Sequence, residues 1–109
     1  QGWRNVESSL RGLAALSAEI PVLAVLVPYL APAAYERWGF ERYHERIDAI
    51  AREAGLPLLD LRADFERAGL IDRGPGEDPI HPGPAGHGLI AERVLEALQR
   101  RDMLDPHRS

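Results

Sequence analysis

The first 20 residues carry apolar side chains at helical spacing. Each of these apolar positions lies three or four residues from another, and they are Val6, Leu10, Leu13, Ala14 and Leu16. Such a stripe predicts an amphipathic helix that ends at about Ala18. We interpret Asn5 as its N-cap, and Pro21 cannot continue it because proline lacks a backbone N–H.

Two short apolar runs have no helical period. The first, 22–27, lies between Pro21 and Pro28, and the second, 56–61, has Pro57 near its start, where a missing N–H costs least. Continuous apolar runs of this length are typical of strands that are covered on both faces, as in a parallel sheet. They predict two strands of that kind.

Three further helices are predicted after the first strand and a loop at 28–32. One has an apolar stripe that ends at Gly55, a residue suited to the left-handed end of a helix; the stripe is Tyr43, Ile47, Ile50, Ala51 and Ala54. A brief helix is expected over 62–68. The last helix follows Gly83 as N-cap and Pro84 at its first position, and its apolar positions are Leu89, Ile90, Val94, Leu95 and Leu98.

The order helix, strand, helix, strand, helix, helix predicts an α/β fold. Strands joined by helical crossovers form parallel sheets with helices on their faces, which here suggests a three-layer α/β/α arrangement. Two strands make a very small sheet with exposed edges. We therefore expect another segment or a second chain to supply more strands.

Composition excludes several classes of function. The chain has 109 residues and a net charge of -4, with 13 basic and 17 acidic residues and no basic stripe, so nucleic acid is not an expected partner. It has no cysteine, which removes disulfides and thiolate catalysis and leaves the compartment open. The longest apolar stretch, 20–30, contains two prolines and is shorter than the roughly 20 residues that span a bilayer. We expect no cofactor and no membrane span.

The residues with the most reactive pattern lie between Asp78 and His87. Asp78 stands three residues before His81 in a turn rich in proline and glycine. A histidine acts as general base when one ring nitrogen is held by an acceptor, best a carboxylate, and the other faces the proton to be removed. The spacing indicates that Asp78 orients His81 as such a base.

Two other interpretations of this segment stay open. An aspartate and a histidine in a polar loop are often a helix cap and a surface residue. Asp78, His81 and His87 also have ligand types suited to zinc, although the histidines lack the i, i+4 helical spacing and no further ligand cluster is apparent. We expect His87 to make structural hydrogen bonds, and we assign no function to His44 or His107.

The segment 78–98 resembles the final conserved block of the SGNH hydrolases, also called GDSL esterases or lipases. In that block a DxxH pair precedes a proline, a glycine–histidine and an apolar helix, as Asp78 and His81 precede Pro82, Gly86 and His87 here. The order of upstream elements is also similar, so the resemblance spans nearly all of the chain. It implies a flavodoxin-like three-layer fold, with Asp78 as the triad acid and His81 as the general base.

Other signatures of that family have no counterpart. Its nucleophilic serine lies in a GDS-type motif, and a glycine and an asparagine from two further blocks complete its oxyanion hole. Ser8 and Ser9 lie on the predicted first helix, Ser17 near its end and Ser109 in the tail. None has the strand-to-turn setting that a nucleophile needs.

The resemblance and these absences together give our expectation. Residues 1–101 would be the C-terminal part of a single SGNH hydrolase domain, and 102–109 a loosely ordered tail. The N-terminal half of the same enzyme, or a second chain, would carry the serine and the oxyanion-hole groups. The isolated chain is expected to be inactive.

The expected reaction is hydrolysis or transfer of an acyl ester. The resemblance implies an acetylated sugar or a lipid as substrate. The alternative is a non-catalytic partner or binding module on the same scaffold, which would contact its ligand through the loop 70–84.

Overall fold

The computed structural model describes residues 2–103, which form a small α/β structure made mostly of helices. Its elements in chain order are α1 (Gly2–Ser17), β1 (Ala24–Leu26), α2 (Pro32–Glu36), α3 (Phe40–Ala54), β2 (Leu58–Asp60), α4 (Arg62–Arg67) and α5 (Pro84–Arg100). No helix in this part of the chain has the length and apolar character needed to cross a membrane.

The two strands form a parallel pair, as predicted. Ala24 lies opposite Leu58, and Leu26 opposite Asp60. Both strands are shorter than the apolar runs that contain them, and the N–H of Leu61 extends the ladder by donating to the carbonyl of Leu26 at 3.1 Å. The order β1–β2 describes the whole sheet within residues 2–103.

Helix ends agree with the sequence at two places. Gly55 follows α3 with φ of 75°, and its N–H donates to the carbonyls of Ala51 and Arg52. Gly83 precedes α5 as its N-cap, with a proline in the first turn. The short helix α2 was not predicted, because Pro32 opens a helix where the sequence suggests a loop.

The prediction that Asn5 caps α1 is wrong. Asn5 lies inside the helix, which already includes Gly2. The first turn is held by a tertiary contact, since the Trp3 ring packs edge-on against Tyr43 at 5.8 Å and the Arg46 guanidinium lies 4.6 Å from the Trp3 ring centre. Packing against α3 therefore extends α1 beyond the point that local signals indicate.

The core lies between the end of the sheet, α4 and α5. Leu30, Leu61 and Phe65 are fully buried. The apolar residues around them are partly buried, and they are Leu59, Leu70, Ile71, Leu89 and Ile90. This cluster joins the segment after β1 to the loop that precedes α5.

Much apolar surface remains uncovered within residues 2–103. The helix α1 packs on α3, and α3 on β2, yet no residue of α1 is buried. The exposed aliphatic residues of α1 and of the β1 region are Val6, Leu13, Leu16, Ile20, Val25 and Val27. One side of α1 and part of β1 thus lack the partner layer that an α/β sheet normally has.

Candidate functional site

Asp78 and His81 form a hydrogen-bonded pair in the loop before α5. Nδ1 of His81 lies 2.7 Å from Oδ2 of Asp78. The other carboxylate oxygen, Oδ1, accepts the backbone N–H groups of Ile80 at 2.9 Å and of His81 at 3.2 Å. Because a carboxylate only accepts, Nδ1 is the donor of this bond, and in the neutral ring this leaves the lone pair on Nε2.

The same three donors keep Asp78 ionised. The backbone N–H of Ile80, the ring of His81 and the backbone N–H of His81 lower the pKa of Asp78 from its ordinary 3.8 to about 2. A hydrogen bond to the charged form of a carboxyl favours that form. Asp78 is therefore an anion at neutral pH and can stabilise an imidazolium on His81.

Arg73 clamps the backbone of this turn. Its Nη1 donates to the carbonyl of Asp78 at 2.7 Å and to the carbonyl of His81 at 3.2 Å. One guanidinium nitrogen thus joins the two ends of the four-residue turn. The sequence placed Arg73 in the loop but did not predict this contact, since no local pattern indicates it.

Leu30 ties the loop to the carboxyl end of β1. Its N–H donates to the carbonyl of Pro79 at 2.7 Å, and its carbonyl accepts the N–H of Arg73 at 2.9 Å. The Leu30 side chain is fully buried, so the residue that makes these two hydrogen bonds is part of the core. The pair therefore lies at the edge of the sheet where α/β proteins bind ligands, beyond the carboxyl ends of parallel strands.

The pair is open to solvent. The side chain of His81 is 81% exposed and that of Asp78 is 53% exposed. Within residues 2–103 the His81 ring has Asp78 as its one hydrogen-bond partner. A substrate or another protein group can therefore reach Nε2 directly.

No serine of the described chain is placed as a nucleophile. Ser8 and Ser9 lie within α1, on the element that packs against α3. The Ser17 hydroxyl donates to the carbonyl of Ala14 at 2.6 Å, at the end of the same helix. Ser109 and His107 lie outside the described residues, as does 104–109 of the expected tail.

The prediction for His87 is wrong. Its side chain is exposed in the first turn of α5, and its ring makes no hydrogen bond with residues 2–103. A zinc site there would need a third ligand. Across the described residues, no three His, Cys, Asp or Glu side chains are grouped so that they could hold a metal ion.

A second histidine–aspartate pair, which the sequence did not predict, is partly buried. His44, on α3, is only 7% exposed, and its Nδ1 lies 2.9 and 3.0 Å from the two carboxylate oxygens of Asp60. Asp60 ends β2, and its Oδ1 also accepts the N–H of Arg62 at 3.0 Å. The available signals were a histidine on the apolar face of α3 and an aspartate within an apolar strand.

Burial and hydrogen bonding oppose each other at Asp60. Burial raises the pKa of its carboxyl, but the hydrogen bonds from the His44 ring and the Arg62 N–H, together with charge attraction to these two residues, outweigh it, so the pKa is lowered. The pair connects α3 to β2 and to the start of α4. Its position indicates a structural role.

No family model matches the chain, and no curated protein or solved structure does.

Proposed function

We propose that this chain supplies the aspartate and the general-base histidine of a Ser-His-Asp acyl hydrolase. The observation that carries the proposal is the Asp78–His81 pair, with Nδ1 held at 2.7 Å by a carboxylate and Nε2 open to solvent. That is the arrangement in which a neutral imidazole accepts a hydroxyl proton. The resemblance of 78–98 to the last SGNH block supports the same assignment.

The proposed reaction uses His81 twice. As the serine oxygen bonds to the ester carbonyl carbon, its proton passes to Nε2, and the resulting imidazolium is stabilised by Asp78. When the tetrahedral intermediate collapses, the bond to the alcohol breaks and Nε2 returns the proton to the leaving oxygen. A water molecule then repeats the sequence and releases the acid; an alcohol in its place gives acyl transfer.

The nucleophile must come from outside residues 2–103. We propose that it comes from the N-terminal half of the same enzyme or from a second chain, which also provides the oxyanion-hole donors. The exposed Val25 and Val27 and the unpaired edge of β1 support this, because strand addition there would cover apolar surface and enlarge the sheet. The assembled fold would then have the three α/β/α layers expected from the sequence.

The substrate class follows from the resemblance. We propose an acyl ester of a sugar or a lipid. The shape of the acyl pocket depends on loops that this chain does not include, so the acyl group is not assigned.

The test compares the 109-residue chain with the product of the complete gene. With a chromogenic acetate ester we expect background hydrolysis from the chain alone, and a serine-reactive phosphonate should not label it. The complete product should hydrolyse the ester and react with the phosphonate. His81→Asn should remove hydrolysis, and His87→Asn, the matched exposed histidine, should leave it unchanged.

Two results would contradict the proposal. Labelling of Ser8, Ser9 or Ser17 in the chain alone would show a nucleophile within it. A complete gene product without a reactive serine, or with hydrolysis that does not depend on His81, would favour the non-catalytic binding module that uses the loop 70–84.

A further inference from the structure

A cleft of about 410 Å³ lies along the crossover from β1 to α3. This volume falls within the roughly 300–1,000 Å³ typical of small-molecule sites. Its aromatic lining consists of Tyr35, Trp38 and Tyr43. Because the crossover leaves the carboxyl end of β1, we place the cleft at the same end of the sheet as the Asp78–His81 pair.

The Trp38 side chain is accessible to solvent and also packs against another aromatic ring. Its side chain is 57% exposed, yet it packs against Phe40 with ring centres 5.8 Å apart. Phe40 in turn contacts Tyr29 at 5.3 Å and Tyr43 at 5.2 Å. An indole held in this way offers a preformed stacking face at little cost in side-chain entropy.

The cleft is connected to the catalytic loop through Tyr29. The carbonyl of Tyr29 accepts the hydroxyl of Tyr35 at 2.6 Å, and burial raises the pKa of Tyr35 to about 12, so this donor stays protonated. The next residue, Leu30, anchors the loop by its bonds to Pro79 and Arg73. Tyr35 in the wall of the cleft and the loop that carries Asp78 and His81 are therefore both hydrogen-bonded to the backbone of residues 29–30.

The charged side chains of the cleft have no partners in the described chain. They are Glu36, Arg37, Glu41 and Arg42. None of them makes an ion pair or a side-chain hydrogen bond within residues 2–103. Two carboxylates and two guanidinium groups cancel in net charge but offer both acceptors and donors. Such a lining does not favour a phosphate or another strongly charged ligand.

We propose that this cleft binds a neutral oligosaccharide. A pyranose ring has a face of C–H groups that stacks on an indole, and its paired hydroxyls match the planar carboxylate and guanidinium groups. An acyl chain fits less well, because it would desolvate four unpaired charged groups without replacing their hydrogen bonds. That the sugar is the alcohol part of the ester substrate rests on the proposed function; the binding itself does not.

Calorimetric titration of the 109-residue chain tests the proposal. Cellohexaose, xylohexaose and N-acetylchitohexaose, all neutral, serve as probes, and we expect at least one to bind. Trp38→Ala should weaken that binding by roughly tenfold or more, the size of effect seen at buried aromatic contacts. Trp3→Phe is the matched control, because Trp3 is the other tryptophan of the chain and does not line the cleft.

A second variant keeps the test valid if Trp38→Ala fails to fold. Glu41→Gln keeps the shape of a partly exposed side chain. It should also weaken binding, while the circular dichroism spectrum should be unchanged. Absence of binding by all three hexasaccharides overturns the proposal, as does binding that neither Trp38→Ala nor Glu41→Gln weakens. Binding of monomeric diheptanoyl phosphatidylcholine in place of the sugars would also overturn it.

The measurement is independent of ester hydrolysis. Sugar binding by the chain together with an inactive complete gene product would contradict only the hydrolase proposal. Esterase activity without sugar binding would contradict only the assignment of this cleft.

Discussion

Within residues 2–103 there are two histidine–aspartate pairs, which have nearly the same hydrogen-bond length and differ in their exposure. Asp78 and His81 are three residues apart in an exposed loop, with Nδ1 and Oδ2 at 2.7 Å. His44 and Asp60 come from a helix and a strand, and in their pair at 2.9 Å the histidine is buried and the aspartate partly buried. In both, a carboxylate holds Nδ1.

The difference lies in how far each histidine is exposed. The His81 side chain is 81% exposed, so a reacting group can approach its Nε2, whereas His44 is only 7% exposed. A buried polar pair stabilises a fold because breaking it leaves a group unsatisfied, whereas an exposed pair of this kind adds little stability. The exposed pair therefore suits the catalytic role that we propose for it, and the less exposed pair suits a structural one.

The largest expected effect is on ester hydrolysis, which should depend on one histidine–aspartate pair and not on the other. In the complete gene product, His81→Asn should lower ester hydrolysis on the order of 10⁴-fold, because the general base is lost. His44→Asn should retain activity at a temperature where the protein is folded, since an amide N–H can replace Nδ1–H toward Asp60. Initial rates with a chromogenic ester measure both. Equal losses in the two variants would show that the pairs do not differ in role.

The second prediction compares how much each histidine–aspartate pair contributes to the stability of the fold. Asp60→Ala should lower the free energy of unfolding by about 2 kcal/mol, because it leaves the buried His44 ring and the Arg62 N–H without their acceptor. Asp78→Ala should move the urea midpoint much less, since its partners are exposed to water. Urea denaturation followed by circular dichroism compares the two. A larger shift from Asp78→Ala would reverse the comparison.

The third effect tests how the core positions the exposed pair. A methyl group added at Gly86 would lie 2.6 Å from Cβ of Pro82 and 3.4 Å from the Phe65 ring, so Gly86→Ala should cost roughly 1–3 kcal/mol of stability. Gly88, on the same helix, has open space around it. Gly88→Ala should be stabilising by about 0.5–1 kcal/mol. Similar results for both would mean that α5 does not pack closely behind the loop.

The smallest expected effect is the change with pH in the contribution of Asp78 to stability. The folded-state pKa of Asp78 is about 2, below its unfolded value of about 3.9. Its contribution to stability is therefore fully present above about pH 4 and is lost as the pH falls toward 2. Carbon-13 NMR of the carboxyl group measures this pKa directly, and His81→Ala should raise it by removing a donor. An ordinary value in the unmodified chain would contradict the hydrogen bonds to Ile80 and His81.

Local signals predicted most of the elements and missed the contacts between them. Gly55 and the Gly83–Pro84 pair mark helix ends by backbone chemistry alone, so both were correct. Asn5 failed as an N-cap because the contact of Trp3 with α3 lengthens α1. The strands were placed correctly but are shorter than their apolar runs, since pairing within the described residues reaches only part of each run.

By itself the sequence determined the alternation of helices and parallel strands and the Asp78–His81 pair, because periodicity and a three-residue turn are local. Only the tertiary structure decided which other groups matter. His44 meets Asp60 across 16 residues, Arg73 binds the carbonyls of Asp78 and His81, and Leu30 ties the loop before α5 to the segment after β1. These contacts depend on chain segments that meet only when the core forms, and no spacing in the sequence indicates them.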